Sequence, residues 1–257
     1  MAMNKKSSAR YDLKAQDRKR DMAVKVGLTA LVVLFAVGLV LYIVMGNEKK
    51  FSGETQAVRM TSDKLITKDG TDEPKAVLSI FEDYQCTHCR DFEKTFGPTL
   101  NKIVESGAAA VDYYMLAILD RASQGYSARA ANAAYCVGDE DKEAFLRFNS
   151  ALFAQQPTEA AGGPDDAALI ETARQAGVSG GVPDCINKNR YTDMVKGLAA
   201  AEEVTATPTI RLNGQDISPA NPDELIAKVR QLVGPVPGLM PQPQPQPQPS
   251  PAPAPAS

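Results

Sequence analysis

The 257-residue sequence has four cysteines and a single histidine. So few of each exclude a disulfide-dense scaffold and a His-rich metal centre. Basic residues are scarce outside the N-terminus. Met1 to Lys25 carries eight Lys/Arg against three Asp, and the remainder carries 20 against 28. An acidic body of this kind argues against nucleic acid as the main partner. No internal repeat is visible, which excludes a solenoid or array. Proline is unevenly spread: ten of the 18 fall between Pro235 and Pro255. Apolar residues at 44% and charged residues at 23% suit a globular protein.

The longest stretch without charge runs from Val26 to Met45, VGLTALVVLFAVGLVLYIVM. A helix of that length spans about 30 Å, the hydrocarbon thickness of a bilayer. A cleaved signal peptide has a shorter apolar region of about 7–15 residues followed by an A-x-A-like site. Gly46-Asn47-Glu48-Lys49-Lys50 supplies no such site, and no cysteine follows for lipid attachment. The expectation is an uncleaved transmembrane helix over 26–46 and a linker over 47–53. Eight basic residues precede the helix and only Lys49 and Lys50 closely follow it. The positive-inside rule then keeps residues 1–25 in the cytoplasm, against lipid headgroups, in a single-pass cell-membrane protein. Everything after the helix is extracytoplasmic, where disulfides persist.

Residues 54–233 have the mixed patterning of a folded domain. Ala76–Phe81 reads as a buried strand. Residues 87–106 place Phe92, Phe96, Leu100 and Ile103 on one helical stripe. Ala110–Ile118 reads as a second strand. Four helices are expected at about 124–137, 141–154, 165–176 and 183–203. Thr209–Leu212 and Gln215–Ile217 flank an Asn213-Gly214 hairpin turn, and Pro222–Val233 closes the domain as an amphipathic helix. This order gives an α/β sheet interrupted by a helical insertion over about 120–203. Arg121, Ser123, Tyr126 and Arg129 are read as helix-surface residues. From 234 to 257, proline at nearly every second position forbids helix and ladder, so polyproline II or a disordered spacer is expected.

The chemistry concentrates in Cys86-Thr87-His88-Cys89, at the junction of the first strand and the first helix. The first turn of a helix offers unpaired N–H groups and the positive end of its dipole, and both favour a thiolate. Cys86 is therefore read as an exposed nucleophile. Cys89, three positions on, is the buried resolving thiol. A polar or protonated His88 imidazole between them would further favour the Cys86 thiolate. Zinc needs about four ligands, and these residues offer too few, so no metal is expected.

These residues resemble the DsbA-like thiol:disulfide oxidoreductases of the thioredoxin superfamily. The resemblance covers roughly residues 55–233 and rests on Phe81-Glu-Asp-Tyr-Gln-Cys86-Thr-His-Cys89 and Ala206-Thr207-Pro208-Thr209. It implies a thioredoxin-like fold with a helical insertion and a cis bond at Thr207–Pro208 facing the dithiol. It also implies a redox-active Cys86–Cys89 disulfide that needs no other cofactor. The implied activity is dithiol oxidation in exported proteins. The implied re-oxidant is a quinone-linked membrane partner of the DsbB or vitamin-K-epoxide-reductase type. Two features depart from the pattern. Ile80 stands where many relatives have a buried acid, leaving Glu82 and Asp83 as candidate proton acceptors for Cys89. Thr207 precedes the proline where DsbA-type oxidants often have Val, so isomerase or reductase chemistry is the alternative direction. A non-catalytic anchored module presenting its Pro-rich tail to a cell wall is a further alternative. In an oxidising compartment Cys136 and Cys185 are expected to form a structural disulfide, with two buried thiols or a second redox pair as the other options.

Overall fold

A computed structural model describes Met22 and residues 25–28, 56–158 and 161–239. The chain divides into two units, Met1–Lys50 and Phe51–Ser257. Residues 25–28 are helical. The rest of the expected membrane helix, the linker 47–53 and the tail beyond Leu239 lie outside the described residues. Among the described residues no helix is long and apolar enough to cross a membrane.

The second unit is built on a five-stranded sheet. Its strands are β1 (Val58–Met60), β2 (Val77–Glu82), β3 (Ala110–Met115), β4 (Thr209–Leu212) and β5 (Gln215–Ile217), in the spatial order β1-β3-β2-β4-β5. β2 runs parallel to β3, with Ile80 beside Tyr113, and antiparallel to β4, with Ile80 beside Ile210. A parallel pair needs a crossover, and α1 (Thr87–Glu105) supplies it. Phe92, Phe96, Leu100 and Ile103 form the buried stripe of α1, as the periodicity predicts. β2 is thus a central strand whose C-terminal end feeds directly into the cysteine motif.

Among the described residues five helices fill the insertion between β3 and β4: α2 (Tyr126–Glu140), α3 (Lys142–Ala154), α4 (Asp166–Gln175), α5 (Val182–Asn187) and α6 (Thr192–Ala201). The sequence predicts four. The last expected helix breaks between Asn187 and Thr192, where Asn189 adopts a left-handed conformation with φ 51°. Buried Asn132 of α2 holds the break open. Its amide donates to the Ile186 carbonyl at 3.3 Å and its Oδ1 accepts from the Tyr191 N–H at 2.8 Å. One buried side chain in a neighbouring helix thus satisfies backbone groups that a continuous helix would have paired.

Small residues bring α2 close to the sheet. Ala130, Ala131, Ala133 and Ala134 are fully buried. A Cβ at Gly138 would meet the Val58 side chain at 2.8 Å, so α2 can approach β1 this closely only with glycine there. β1 itself, three residues long, carries too little pattern to be read from the sequence. Helix α7 (Pro222–Val233) closes the fold beside α1, with Asn221 Oδ1 accepting from the Glu224 N–H as its cap. The chain does not leave the core at Gly234. Val236 and Leu239 are 3% and 1% exposed, so the first residues of the expected spacer are packed. Their apolar side chains are outweighed by proline in any compositional reading of that segment.

Candidate active site

Cys86 is the N-cap of α1, with extended backbone angles and no side-chain cap bond. Its carbonyl accepts from the N–H groups of Cys89 at 3.1 Å and Arg90 at 3.2 Å. The cysteine side chain therefore lies beside the unpaired start of the helix. Both motif cysteines are free thiols. Cys89 is fully buried, but Cys86 is only 7% exposed, less open than the sequence suggests. Thr87 and His88 are the exposed members of the motif.

The two thiols differ sharply in acidity. Cys86 is held down to about 5 from an ordinary value of 9.0. The chief cause is the hydrogen bond from the Cys89 thiol. The Thr207 side chain and the backbone N–H groups of Cys89 and His88 also lower it, against its own burial. The Thr207 carbonyl acts the other way: it accepts from the Cys86 Sγ–H at 3.3 Å and so favours the thiol. The helix-start donors and Cys89 outweigh it. Burial pushes Cys89 far up, reinforced by its bond to Cys86 and by the charge of Glu82. His88 contributes through its backbone N–H. Its imidazole is exposed and makes no hydrogen bond among the described residues.

The Thr207–Pro208 peptide bond is cis and brings this distant loop against Cys86. Glu82 and Asp83, the two candidate acids, lie in contrasting surroundings. Both are fully buried. Asp83 accepts from Ser127 Oγ at 2.6 Å, Leu119 N–H at 2.8 Å and Gln85 N–H at 2.9 Å, and these bonds commit its oxygens to holding the loop. Its own N–H lies against the Cys89 sulfur. Neither Glu82 oxygen has a donor among the described residues. Burial, then the neighbouring Glu93, pushes the Glu82 carboxyl well above the usual range. Ile80 is buried in the sheet and plays no acid role. The expectation that Ser123 and Tyr126 lie on a helix surface is corrected. Both are fully buried, and Ser123 Oγ meets Ser127 Oγ at 3.1 Å beside Asp83.

Residues that the sequence reading missed support the motif from outside. Gln156, just after α3, donates from Nε2 to the carbonyls of Tyr84 and Cys86, each at 2.9 Å. Gln85 Nε2 donates to the Pro157 carbonyl at 3.1 Å. No local signal marks a glutamine in a loop for such a task. Away from the motif, Cys136 of α2 and Cys185 of α5 form a disulfide with Cα atoms 5.8 Å apart. Among the described residues no cluster of three or more His, Cys, Asp or Glu is placed to hold a metal ion.

Comparison with known proteins agrees with this geometry. The thioredoxin family model matches residues 68–230. The crystal structure of reduced DsbA from Mycobacterium tuberculosis is 54% identical, with a TM-score of 0.70, over 72% of this chain and 95% of that one. The reduced form of the disulfide bond oxidoreductase DsbG from the same organism is also 54% identical, with a TM-score of 0.70, over 73% of this chain and 92% of that one. The serine/threonine-protein kinase PknE of M. tuberculosis is 31% identical over 147 residues, 55% of this chain. The match spans 25% of the kinase, so the chain corresponds to about a quarter of the length of the curated relatives it matches. The chain belongs to the thioredoxin family and is a DsbA-like thiol-disulfide oxidoreductase.

Proposed function

We propose that the protein oxidises paired thiols in exported proteins, using Cys86 and Cys89 as its redox couple and Thr207–Pro208 as the wall against which the substrate lies. The observation that carries this reading is the unequal dithiol: an acidic Cys86 over a buried, weakly acidic Cys89. In the oxidised enzyme a substrate thiolate attacks Cys86 Sγ. The Cys86–Cys89 bond breaks and Cys89 leaves with the electron pair, then takes up a proton. A second substrate thiolate attacks the substrate sulfur of the mixed disulfide and expels Cys86 as a stable thiolate. The substrate loses two electrons, and the enzyme gains them as a dithiol. A stabilised leaving thiolate favours the reduced enzyme, and so makes its disulfide a strong oxidant.

The uncharged run 26–45 and the basic residues before it support anchoring by a single transmembrane helix, with the catalytic domain outside the membrane. The Cys136–Cys185 disulfide fits an oxidising compartment. A quinone-linked membrane re-oxidase of the DsbB or vitamin-K-epoxide-reductase type would then restore the Cys86–Cys89 disulfide. Thr207 favours a second reading, the same chemistry run as isomerase or reductase. The reduction potential decides between them: a value near about −120 mV supports the oxidant and one near about −270 mV supports a reductase. Cys89→Ala should accumulate mixed disulfides through Cys86 with exported proteins, identified by mass spectrometry. A chain that traps none would overturn the proposal.

A further inference from the structure

The dithiol occupies only the first turn of α1, and the flank of that helix toward the insertion is open. Two cavities lie there between α1 and α3. One, of about 480 Å³, separates Arg90 and Asp91 from Phe153 and Ala154. The other, of about 250 Å³, separates Gly97, Pro98 and Asn101 from Leu146 and reaches Tyr113. Glu93, Lys94 and Ser150 line both, so the two form one groove. Gly97 adds no side chain to it, and even a Cβ there would meet Glu93 Oε2 at 3.0 Å. The groove begins at the nucleophile. The Arg90 N–H donates to the Cys86 carbonyl at 3.2 Å, and so does Gln156 Nε2, from just beyond α3, at 2.9 Å. Arg90, Lys94 and Pro98 follow Cys86 at intervals of four, as one ridge of α1 that walls the groove.

The polar groups of the groove are incompletely paired. Arg90 meets Asp91 at 3.4 Å, but exposed Lys94 has no partner among the described residues. Glu93 Oε1 is buried without a donor there. A buried acceptor left unmet is costly, and a ligand that brings a donor removes the cost. Phe153, Leu146 and Pro98 supply apolar wall between these groups. Apolar wall, one free ammonium and one unmet acceptor suit a polypeptide, which brings apolar side chains, carboxylates and backbone N–H groups together.

We infer that the groove between α1 and α3 binds the stretch of substrate polypeptide that flanks the reacting cysteine, with an apolar side chain between Phe153 and Leu146, an Asp or Glu side chain on Lys94 and a backbone N–H on Glu93 Oε1. This rests on the reading of Cys86 as the sulfur that substrate thiolates attack. The lengths agree. From Arg90 to Asn101 the groove covers a span of α1 that starts about 6 Å and ends about 22 Å beyond Cys86. An extended chain advances about 3.3 Å per residue, so roughly the second to the seventh residue from the substrate cysteine falls within it. The Thr207–Pro208 wall meets the backbone at the cysteine and is blind to what lies further along. The groove reads that sequence, and favours exported proteins with an apolar and an acidic residue close to the cysteine.

The test mixes the oxidised full-length chain with excess reduced dithiol peptide. Acid quench and mass spectrometry give the second-order rate at which the peptide is oxidised and Cys86–Cys89 is reduced. The reference peptide is a cysteine pair with capped ends. Others add about seven residues before or after the pair, carrying Leu and Asp, Leu and Lys, or only Ser and Gly. On one side of the pair, the Leu-Asp extension should raise the rate about tenfold over the reference. The Ser-Gly extension should not, and Lys in place of Asp should cost roughly threefold. Lys94→Glu should invert the preference for Asp over Lys, which a merely structural role for Lys94 would not do. Ser150→Trp, filling the groove from an exposed position, should bring the Leu-Asp rate down to that of the reference. Equal wild-type rates for every extension on both sides would overturn the proposal. So would a Lys94→Glu chain that keeps the wild-type preference. A dimer in sedimentation that Ser150→Trp abolishes would give the groove to a second copy of the chain and overturn it too. Failure of the underlying reading looks different, because the wild-type chain would then not oxidise even the capped pair.

Discussion

The molecule carries two cysteine pairs, and the same residue type does opposite work in them. Cys136 and Cys185 join the bodies of two helices in the insertion as a closed disulfide. Cys86 and Cys89 share the first turn of one helix and remain free thiols of unequal acidity. The difference lies in the surroundings, not in the sulfur. Near Cys136 lie buried alanines and apolar neighbours that offer a thiolate nothing. Around Cys86 lie helix-start N–H groups, a second thiol and the Thr207 loop, all able to stabilise charge or meet a substrate. Burial alone does not make a cysteine structural: Cys86 at 7% exposed and Cys136 at 2% are nearly alike in that respect.

The largest effect should come from abolishing this difference at its source. Cys86→Ser should eliminate disulfide exchange with a model peptide substrate, measured by mass spectrometry, while leaving the Cys136–Cys185 disulfide intact. Residual exchange through Cys89 alone would show that the acidity gap is not what assigns the roles. Next in size is the response to pH. Alkylation of Cys86 in the reduced chain should be constant from pH 7 to pH 8 and fall below about pH 5, about tenfold per unit, as the thiolate is protonated. Cys89 should stay unreactive throughout that range, because burial holds its proton. The linkage has a definite sign. The Cys86 value in the fold lies below its ordinary 9.0, so the thiolate stabilises the reduced fold above pH 9 and this is lost as pH falls through about 5. The stability advantage of the reduced over the oxidised protein should therefore shrink over that window in urea denaturation.

How much of this contrast was legible in the sequence depends on how local each part is. The strand, the Cys-Thr-His-Cys turn and the Phe92–Phe96–Leu100–Ile103 stripe are contiguous, and spacing suffices to place them. Pro208 is remote from Cys86, and only resemblance brought the two together before the structure did. The break between α5 and α6 depends on Asn132, an unremarkable polar residue in another helix. Glu93 could have been flagged, since it stands four residues after Cys89 on one helical face. Glu82 stands in the sequence beside Asp83 as one of two candidate proton acceptors for Cys89. That Glu82 and Glu93 interact follows from the tertiary fold, which no single segment encodes.

The third test is aimed at the other pair. Replacing Cys136 and Cys185 together by Ala opens a loop of 49 residues. The chain-entropy model sets the loss at up to about 4 kcal/mol, or roughly 8–16 °C in Tm for a domain of this size. Calorimetry should find that drop while the alkylation rate of Cys86 at 15 °C is unchanged. A parallel loss of Cys86 reactivity would mean that the two pairs are coupled, contrary to the comparison.

The smallest effect, and the most local, is expected at Gln156. Its amide bridges the carbonyls of Tyr84 and Cys86, and so ties the start of α1 to the segment after α3. Gln156→Ala removes two bonds from carbonyls in a partly buried place, a cost of about 1–2 kcal/mol. The Cys86 carbonyl keeps the N–H groups of Cys89 and Arg90, so the helix start survives. The Tyr84 carbonyl loses its Gln156 donor. Hydrogen exchange should therefore quicken at the amides of residues 85–90, while those of residues 130–137 in α2 are unaffected. The urea midpoint should fall slightly, and the alkylation midpoint of Cys86 should stay near 5, because the groups that set it do not include Gln156. If exchange quickens equally in α2, then Gln156 supports the whole insertion, and the motif owes its geometry to the core rather than to its own clamp.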